Sequence, residues 1–303
     1  MTLRTMSRKR KHWKYVICII PFLIVWFILS IYPHLEVIPL SLYKWSPISR
    51  KREYVGLEYF KIIFGVQWKI TLKQFMSTIL YVFYLFAIQT VLALSLALAL
   101  RKNTRHNKFF RALFFLPMVL SSTMVSLTWS YMYDPNLGII NNLLANLGVD
   151  GFPGHNFFKP DAMALLCIVL VHIWANIGYP ITIITSGLQT ISDDLEEAAR
   201  LDGANKWQLF WQVTFPLLLP TLLRITLLTL TTGSMAIDYI LMMGSRGADM
   251  SYDTWSVAIY KGITNDSNYG MVSARSVVLF VVMIVFSLIQ YRATKKVEDD
   301  ILG

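Results

Sequence analysis

The sequence predicts an all-α integral membrane protein built on six transmembrane helices, and three observations carry that prediction. Hydrophobic residues make up 55% of the 303 and charged residues only 15%, against about 25% charge in an ordinary soluble domain. Mean hydropathy is +0.50. The apolar residues gather into six runs, each near the ~20 residues that a helix needs to cross the hydrocarbon core. They are too long and continuous for the ~10-residue alternating strands of a membrane barrel. The basic residues behind the net charge of +10 flank these runs, where loops meet anionic lipid. Nucleic-acid binding needs them clustered on a folded surface instead. Disorder is excluded by the same composition. A disulfide scaffold is excluded because Cys18 and Cys167 both sit inside apolar runs.

The first span is predicted from Tyr15 to about Tyr32, after a cytoplasmic segment 1–14 that contains Arg8, Lys9, Arg10, Lys11 and Lys14. Tyr32-Pro33-His34-Leu35 follows it with no small-residue cleavage site, so the run reads as an uncleaved anchor. Phe75–Leu100 is the second span, with Gln89 as its strongly polar member. Ala112–Tyr133 is the third, and Ala162 to about Leu188 the fourth, interrupted only by His172. The fifth runs from Pro216 to Ile237 and carries Arg224. The sixth is Val272–Tyr291, with Arg275 near its start, so the helical domain covers 15–291 and a short tail covers 292–303. Between spans, Gly56–Trp68 reads as a short interfacial helix and Gly138–Leu144 as a short amphipathic one.

Lysine and arginine counts orient the chain. With both termini cytoplasmic, the inner segments hold 16 and the outer loops 10. The bias favours that orientation, although the outer loop 43–74 holds seven of the ten.

One loop differs from the rest. Between the fourth and fifth spans the chain reads Ser192-Asp193-Asp194-Leu195-Glu196-Glu197-Ala198-Ala199-Arg200-Leu201-Asp202-Gly203-Ala204, and five of the 18 acids lie there. Asp193 with Glu196 is expected to form a capping box, and Glu196 to pair with Arg200 one turn on. Gly203 should close this helix and Asn205 should cap a second, whose Trp207, Phe210 and Trp211 form an apolar stripe. Pro216 and Pro220 follow. The predicted object is a cytoplasmic helix–turn–helix elbow over 191–215, with small residues that let a partner surface approach closely.

Glu197-Ala198-Ala199, Gly203-Ala204, Phe210, Pro216 and Pro220 resemble the EAA loop of permease subunits of binding-protein-dependent ABC importers. The likeness covers nearly the whole chain. Tyr32-Pro33, Ser41-Leu42-Tyr43-Lys44-Trp45, Phe115-Leu116-Pro117, Gly138-Ile139-Ile140-Asn141 and Ser273-Ala274 are similar to the carbohydrate branch. Where many sugar permeases carry Thr-x-Gly-Gly-Pro, this chain has Met242-Met243-Gly244-Ser245-Arg246-Gly247. Asp253-Thr254-Trp255 and Tyr260-Lys261-Gly262 look closer to a subgroup associated with oligosaccharides from polysaccharide breakdown. The resemblance implies the type I ABC importer permease fold in a bacterial cytoplasmic membrane. It implies a coupling role for Glu197, Ala198, Ala199, Gly203 and Ala204 against a separate ATPase, which would use ATP and Mg. The implied partners are a second, non-identical permease, two ATPase copies and an extracytoplasmic sugar-binding protein.

Other residues have plainer alternatives. Arg224, about 12 Å into its helix, either snorkels to the surface or marks a functional site. Asp238 and Arg275 fall near outer ends of neighbouring spans, where they can pair, as a structural contact or alternatively as a gate or substrate contact. Rings such as Trp129, Trp174, Tyr131 and Tyr179 suit an interfacial belt. If cargo touches this subunit, Gln89, Trp129 and Asn176 are the expected contacts, through stacking on sugar rings and pairing with hydroxyls. The chain contains no Gly-x-x-x-x-Gly-Lys-Ser/Thr phosphate loop, no His-Glu-x-x-His metal spacing and no Gly-x-Ser-x-Gly nucleophile elbow. Catalysis or cofactor binding by this chain is therefore not expected. An ion-coupled secondary transporter would need intramembrane acids along a pathway, and only Asp238 qualifies. Within the ABC class, the alternative cargo is a small solute such as glycerol phosphate.

Overall fold

The computed structural model describes residues 19–46, 51–148, 157, 162–244, 253–265 and 268–302. The basic segment 1–14, Cys18 and Ser245-Arg246-Gly247 lie outside them. The contacts divide the chain into two compact units, one of 1–68 with 261–280 and one of 69–260 with 281–303.

In the first unit, helix α1 (Ile19–Leu40) runs past Pro33 instead of stopping at Tyr32. Proline has no N–H to donate and its ring crowds the carbonyl four residues back. The chain absorbs this with a π turn at Phe27–Ile31, in which the Tyr32 N–H bonds to the Phe27 carbonyl. Strands β1 (Tyr43–Trp45) and β2 (Arg52–Tyr54) then form an antiparallel hairpin, a departure from the all-α expectation. Its cross-strand pairs explain it: Tyr43 faces Tyr54, Lys44 faces Glu53, and Trp45 faces Arg52, whose guanidinium lies 5.5 Å from the indole centre. The short helix expected here is α2 (Glu58–Lys61), continued by a π turn to Val66. The Tyr59 hydroxyl donates to Asn268 at 3.0 Å, and Trp45 meets Tyr269 edge to face. Gly270 permits this packing, since a Cβ there would lie 2.0 Å from the Tyr43 carbonyl oxygen. Gly270→Ala is therefore expected to lower the melting temperature of the purified protein, with a cost of about 1–3 kcal/mol for overpacking. An unchanged melting temperature would contradict that contact.

The second unit begins with α3 (Trp68–Ala99), a single helix of 32 residues. The third predicted span is not one rod. It consists of α4 (Arg105–Phe115), a tight turn at Leu116–Val119 and α5 (Ser122–Met132), bent by 94°. Pro117 sits in the turn, and Leu120 and Ser121 are extended, so the helical ladder is interrupted before it restarts. The amphipathic loop helix is α6 (Ile139–Asn146). The fourth span is also broken, into α7 (Ala162–Asn176) and α8 (Gly178–Gln189), bent by 56°. Pro180 lacks the N–H that would have bonded to Asn176. The two breaks touch, because a Cβ on Gly178 would lie 2.5 Å from Phe115 Cα.

After the elbow helix α9 (Asp193–Leu201), helix α10 (Lys206–Ser234) runs continuously from the elbow through the fifth predicted span. It passes Pro216 as α1 passes Pro33, with a π turn at Phe210–Thr214 just before the proline. It ends before Ile237, where α11 (Ile237–Gly244) begins. The remaining helices are α12 (Trp255–Asn265) and α13 (Tyr269–Leu302). Trp255 is fully buried, its ring stacked on Phe75 at 4.4 Å, and its backbone N–H donates to the Thr78 hydroxyl oxygen. Among the described residues four helices are long and apolar enough to span a membrane, or up to six if each bent pair makes one crossing.

Candidate functional site

Two features of the second unit carry polar chemistry, the elbow and a cavity. The elbow folds largely as its residue types dictate. Its N-cap is Ser192, whose hydroxyl accepts from the Asp194 N–H at 3.2 Å. Asp193 is thus the first helical residue rather than the expected cap. Asp193, Asp194 and Glu196 remain in the first turn, where the helix dipole favours anions. Gly203 ends α9 with φ +87°. The Gly203 N–H bonds to Arg200 O and the Ala204 N–H to Ala199 O, closing the helix in a Schellman turn. Asn205 caps α10 through the N–H groups of Trp207 and Gln208, and the Gln208 side chain returns a bond to the Asn205 N–H.

The expected Glu196–Arg200 pair gives way to a longer-range one. Glu196 turns inward and accepts a hydrogen bond from Arg101, which also approaches Asp193 at 3.9 Å. Glu197, Ala198 and Gly203 are exposed, and Ala199 and Ala204 half-buried. Beside them Leu201 is 85% and Trp207 71% exposed. A mixed small, acidic and apolar surface of this kind suits a protein partner more than water.

The cavity has a volume of about 300 Å³. Its polar lining is Gln89 from α3, His172 and Asn176 from α7, Tyr179 from α8, and Thr229 and Thr232 from α10. The structure therefore brings Gln89 and Asn176 together, 87 positions apart in the chain. Trp129, predicted with them, does not line it and packs against Trp174 and Tyr133 instead. Sequence reasoning missed His172 as a central member. Its Nδ1 lies 2.7 Å from the Tyr81 hydroxyl and its ring stacks on Tyr239 at 4.5 Å. Asn176 Nδ2 donates to the His172 carbonyl and to the Tyr239 hydroxyl, each at 3.0 Å. The signal was present in the i, i+4 spacing of His172 and Asn176, and in Ile225, Thr229 and Thr232 along one face of α10. Among the described residues, His172 is the one lining residue of a type that carries charge. A pocket of amides, hydroxyls and aliphatic walls can hold an uncharged polar molecule through hydrogen bonds and apolar contact.

Asp238 accepts a hydrogen bond from Ser122 in the second unit, while Arg275 donates to Gln67 at 3.0 Å in the first. Arg224 is exposed on α10, next to the cavity residue Ile225.

Comparison with known proteins agrees with this architecture. The chain is 28% identical over 307 residues to the multiple sugar-binding transport system permease protein MsmF of Streptococcus mutans, covering 98% of this chain and all of that one. It is 28% identical over 286 residues to the trehalose/maltose transport system permease protein MalF of Thermococcus litoralis, covering 93% of each. Among solved structures, a chain of a bacterial ABC transporter involved in import of the acidic polysaccharide alginate superposes with TM-score 0.81 at 20% identity. That match covers 97% of this chain and 99% of the other. The family described as the inner membrane component of binding-protein-dependent transport systems matches residues 62–299. The chain belongs to that family, as a multi-pass permease protein of the cytoplasmic membrane.

Proposed function

We propose that this chain is one of two permease subunits of an ATP-driven importer that carries a sugar, most simply an oligosaccharide, into the cytoplasm. The observation that carries the reading is the elbow. Its exposed face bears Glu197 and Ala198, and its second helix continues without a break into the cavity wall. In this reading both termini are cytoplasmic, and a separate ATPase pair binds ATP and Mg and seats on the elbow. A second permease completes the pathway, and an extracytoplasmic binding protein delivers cargo. ATP-driven closure of the ATPases displaces the elbow, α10 moves with it, and the cavity opens outward. Hydrolysis resets the inward-facing state. The coupling energy is the difference in elbow contacts between the two ATPase states. The sugar assignment draws support from the relatives' names and from a cavity lined by amides and hydroxyls.

The test is affinity purification from native membranes in mild detergent, with mass spectrometry of co-purifying chains. A phosphate-loop ATPase and a second permease are expected. Recovery of the chain alone, transporting in liposomes on an ion gradient without ATP, would overturn the reading. ATP hydrolysis stimulated by the binding protein, measured across a panel of neutral oligosaccharides, acidic oligosaccharides and glycerol phosphate, then identifies the cargo. Gln89→Leu and Asn176→Leu are each expected to lower uptake of the stimulating sugar about tenfold, the worth of one hydrogen bond in a dry site. Complex assembly should be unchanged, and wild-type uptake in both variants would remove this cavity from the path.

A further inference from the structure

We infer that Arg101 is a positioning residue that ties the elbow to α3, a second wall of the cavity, so that both walls follow one movement. The inference rests on the proposed ATP-driven reading. Arg101 follows the end of α3 by two residues, and its N–H still bonds to the Leu98 carbonyl, so its backbone moves with that helix. Its guanidinium reaches Glu196 and approaches Asp193 at 3.9 Å, both in the first turn of α9. The cation sits at the C-terminal end of one helix and the acids at the N-terminal end of the other, each where the helix dipole favours it.

Burial decides how much this contact is worth. An exposed ion pair contributes next to nothing. Here the Arg101 side chain is 25% exposed and that of Glu196 12%, and a guanidinium holds a carboxylate in fixed geometry.

The consequence lies at the cavity. Thr229 and Thr232 reach it on α10, which is covalently continuous with the elbow. Gln89 reaches it on α3, about 15 Å up the helix from Ala99. Chain continuity from the elbow to α3 is remote, and Arg101 supplies a direct contact. Without it, α3 keeps only its apolar packing on α10, where Gly233 lies against Leu85 and Val82, and its response to the elbow weakens.

The test needs no cargo. Single cysteines are placed at Thr229 and at Gln89 in the intact complex, and their labelling by a membrane-impermeant maleimide is followed with and without ATP. The labelling of the parent complex is subtracted. In the parent background ATP should change labelling at both positions. With Arg101→Gln the response at Thr229→Cys should persist, while that at Gln89→Cys falls about tenfold, as loss of one charge-assisted hydrogen bond implies. Exchanging the charges, Arg101→Glu with Glu196→Arg, should restore it. Parent-like responses at both positions in Arg101→Gln would overturn the inference and leave the proposed function standing. If that variant fails to accumulate, Glu196→Gln removes the same contact from the elbow side, and an unaltered response there has the same force. No ATP response at either position in the parent background would count against the ATP-driven reading itself.

Discussion

Gly203→Pro should leave the chain in the membrane at its normal level while uptake falls by about a hundredfold or more, to background. Proline holds φ near −65°, and Gly203 has φ +87°. Proline also removes the N–H that bonds to Arg200 O, so the turn between α9 and α10 cannot close as it does. A misplacement of about 1 Å costs about a hundredfold where a reaction depends on aligned groups, and a loss of that order is expected where the elbow transmits the motion. Gly203→Ala is the control. A Cβ there meets nothing within 4 Å, so only the backbone strain remains, about 1 kcal/mol. It should transport at a modestly reduced rate. Glu197→Lys attacks the same function without touching the fold, because Glu197 is exposed and its neighbour Glu196 holds the contact with Arg101. It should uncouple ATP hydrolysis from uptake. Immunoblots of membranes, uptake and ATPase rates measured together decide the matter, and normal uptake in both Gly203→Pro and Glu197→Lys would sink the coupling assignment.

Gly178→Val should reduce the protein recovered from membranes and lower its melting temperature in detergent. A Cβ at this position would lie 2.5 Å from Phe115 Cα and 2.6 Å from Phe114 O. Both are backbone atoms, so no side-chain rotation relieves the clash. The breaks between α4 and α5 and between α7 and α8 meet at this point, and separating them shifts Tyr179 and Pro180 in the cavity lining. Overpacking costs about 1–3 kcal/mol where a core can adjust, and this contact lies at the upper end or beyond. Gly178→Ala should show the same direction with a smaller shift. Equal melting temperatures for Gly178→Ala and the parent protein would show that the two breaks are not in contact.

Much of the elbow could be read from residue types because its forces are local. A hydroxyl or carboxyl before an acidic turn, a glycine at position 203 and an asparagine before a second stripe each act within about four residues. The misassigned details were those with competing partners. Ser192 and Asp193 are both good caps, and only the chain direction entering α9 selects the former. Glu196 had an available partner one turn away at Arg200, but Arg101 comes from 95 positions earlier and no spacing rule announces it. The hairpin at Tyr43–Tyr54 was hidden in a basic loop, since three-residue strands leave too short an alternation to detect.

What the sequence determined by itself is the membrane class, the approximate positions of the apolar runs, the elbow and the family likeness. Each follows from composition, from hydrophobic run length or from motifs that act over a few residues. What only the tertiary structure decided is how those runs break and what they enclose. Pro117 and Pro180 announce a local disturbance, but Pro33 and Pro216 disturb their helices just as surely and are absorbed by π turns. Whether a proline bends a helix by 94° or is passed over depends on what packs around it. The cavity is likewise a product of packing. Gln89, Asn176 and Thr229 come from three separate helices, and only the bends and close approaches between those helices bring the three to one space.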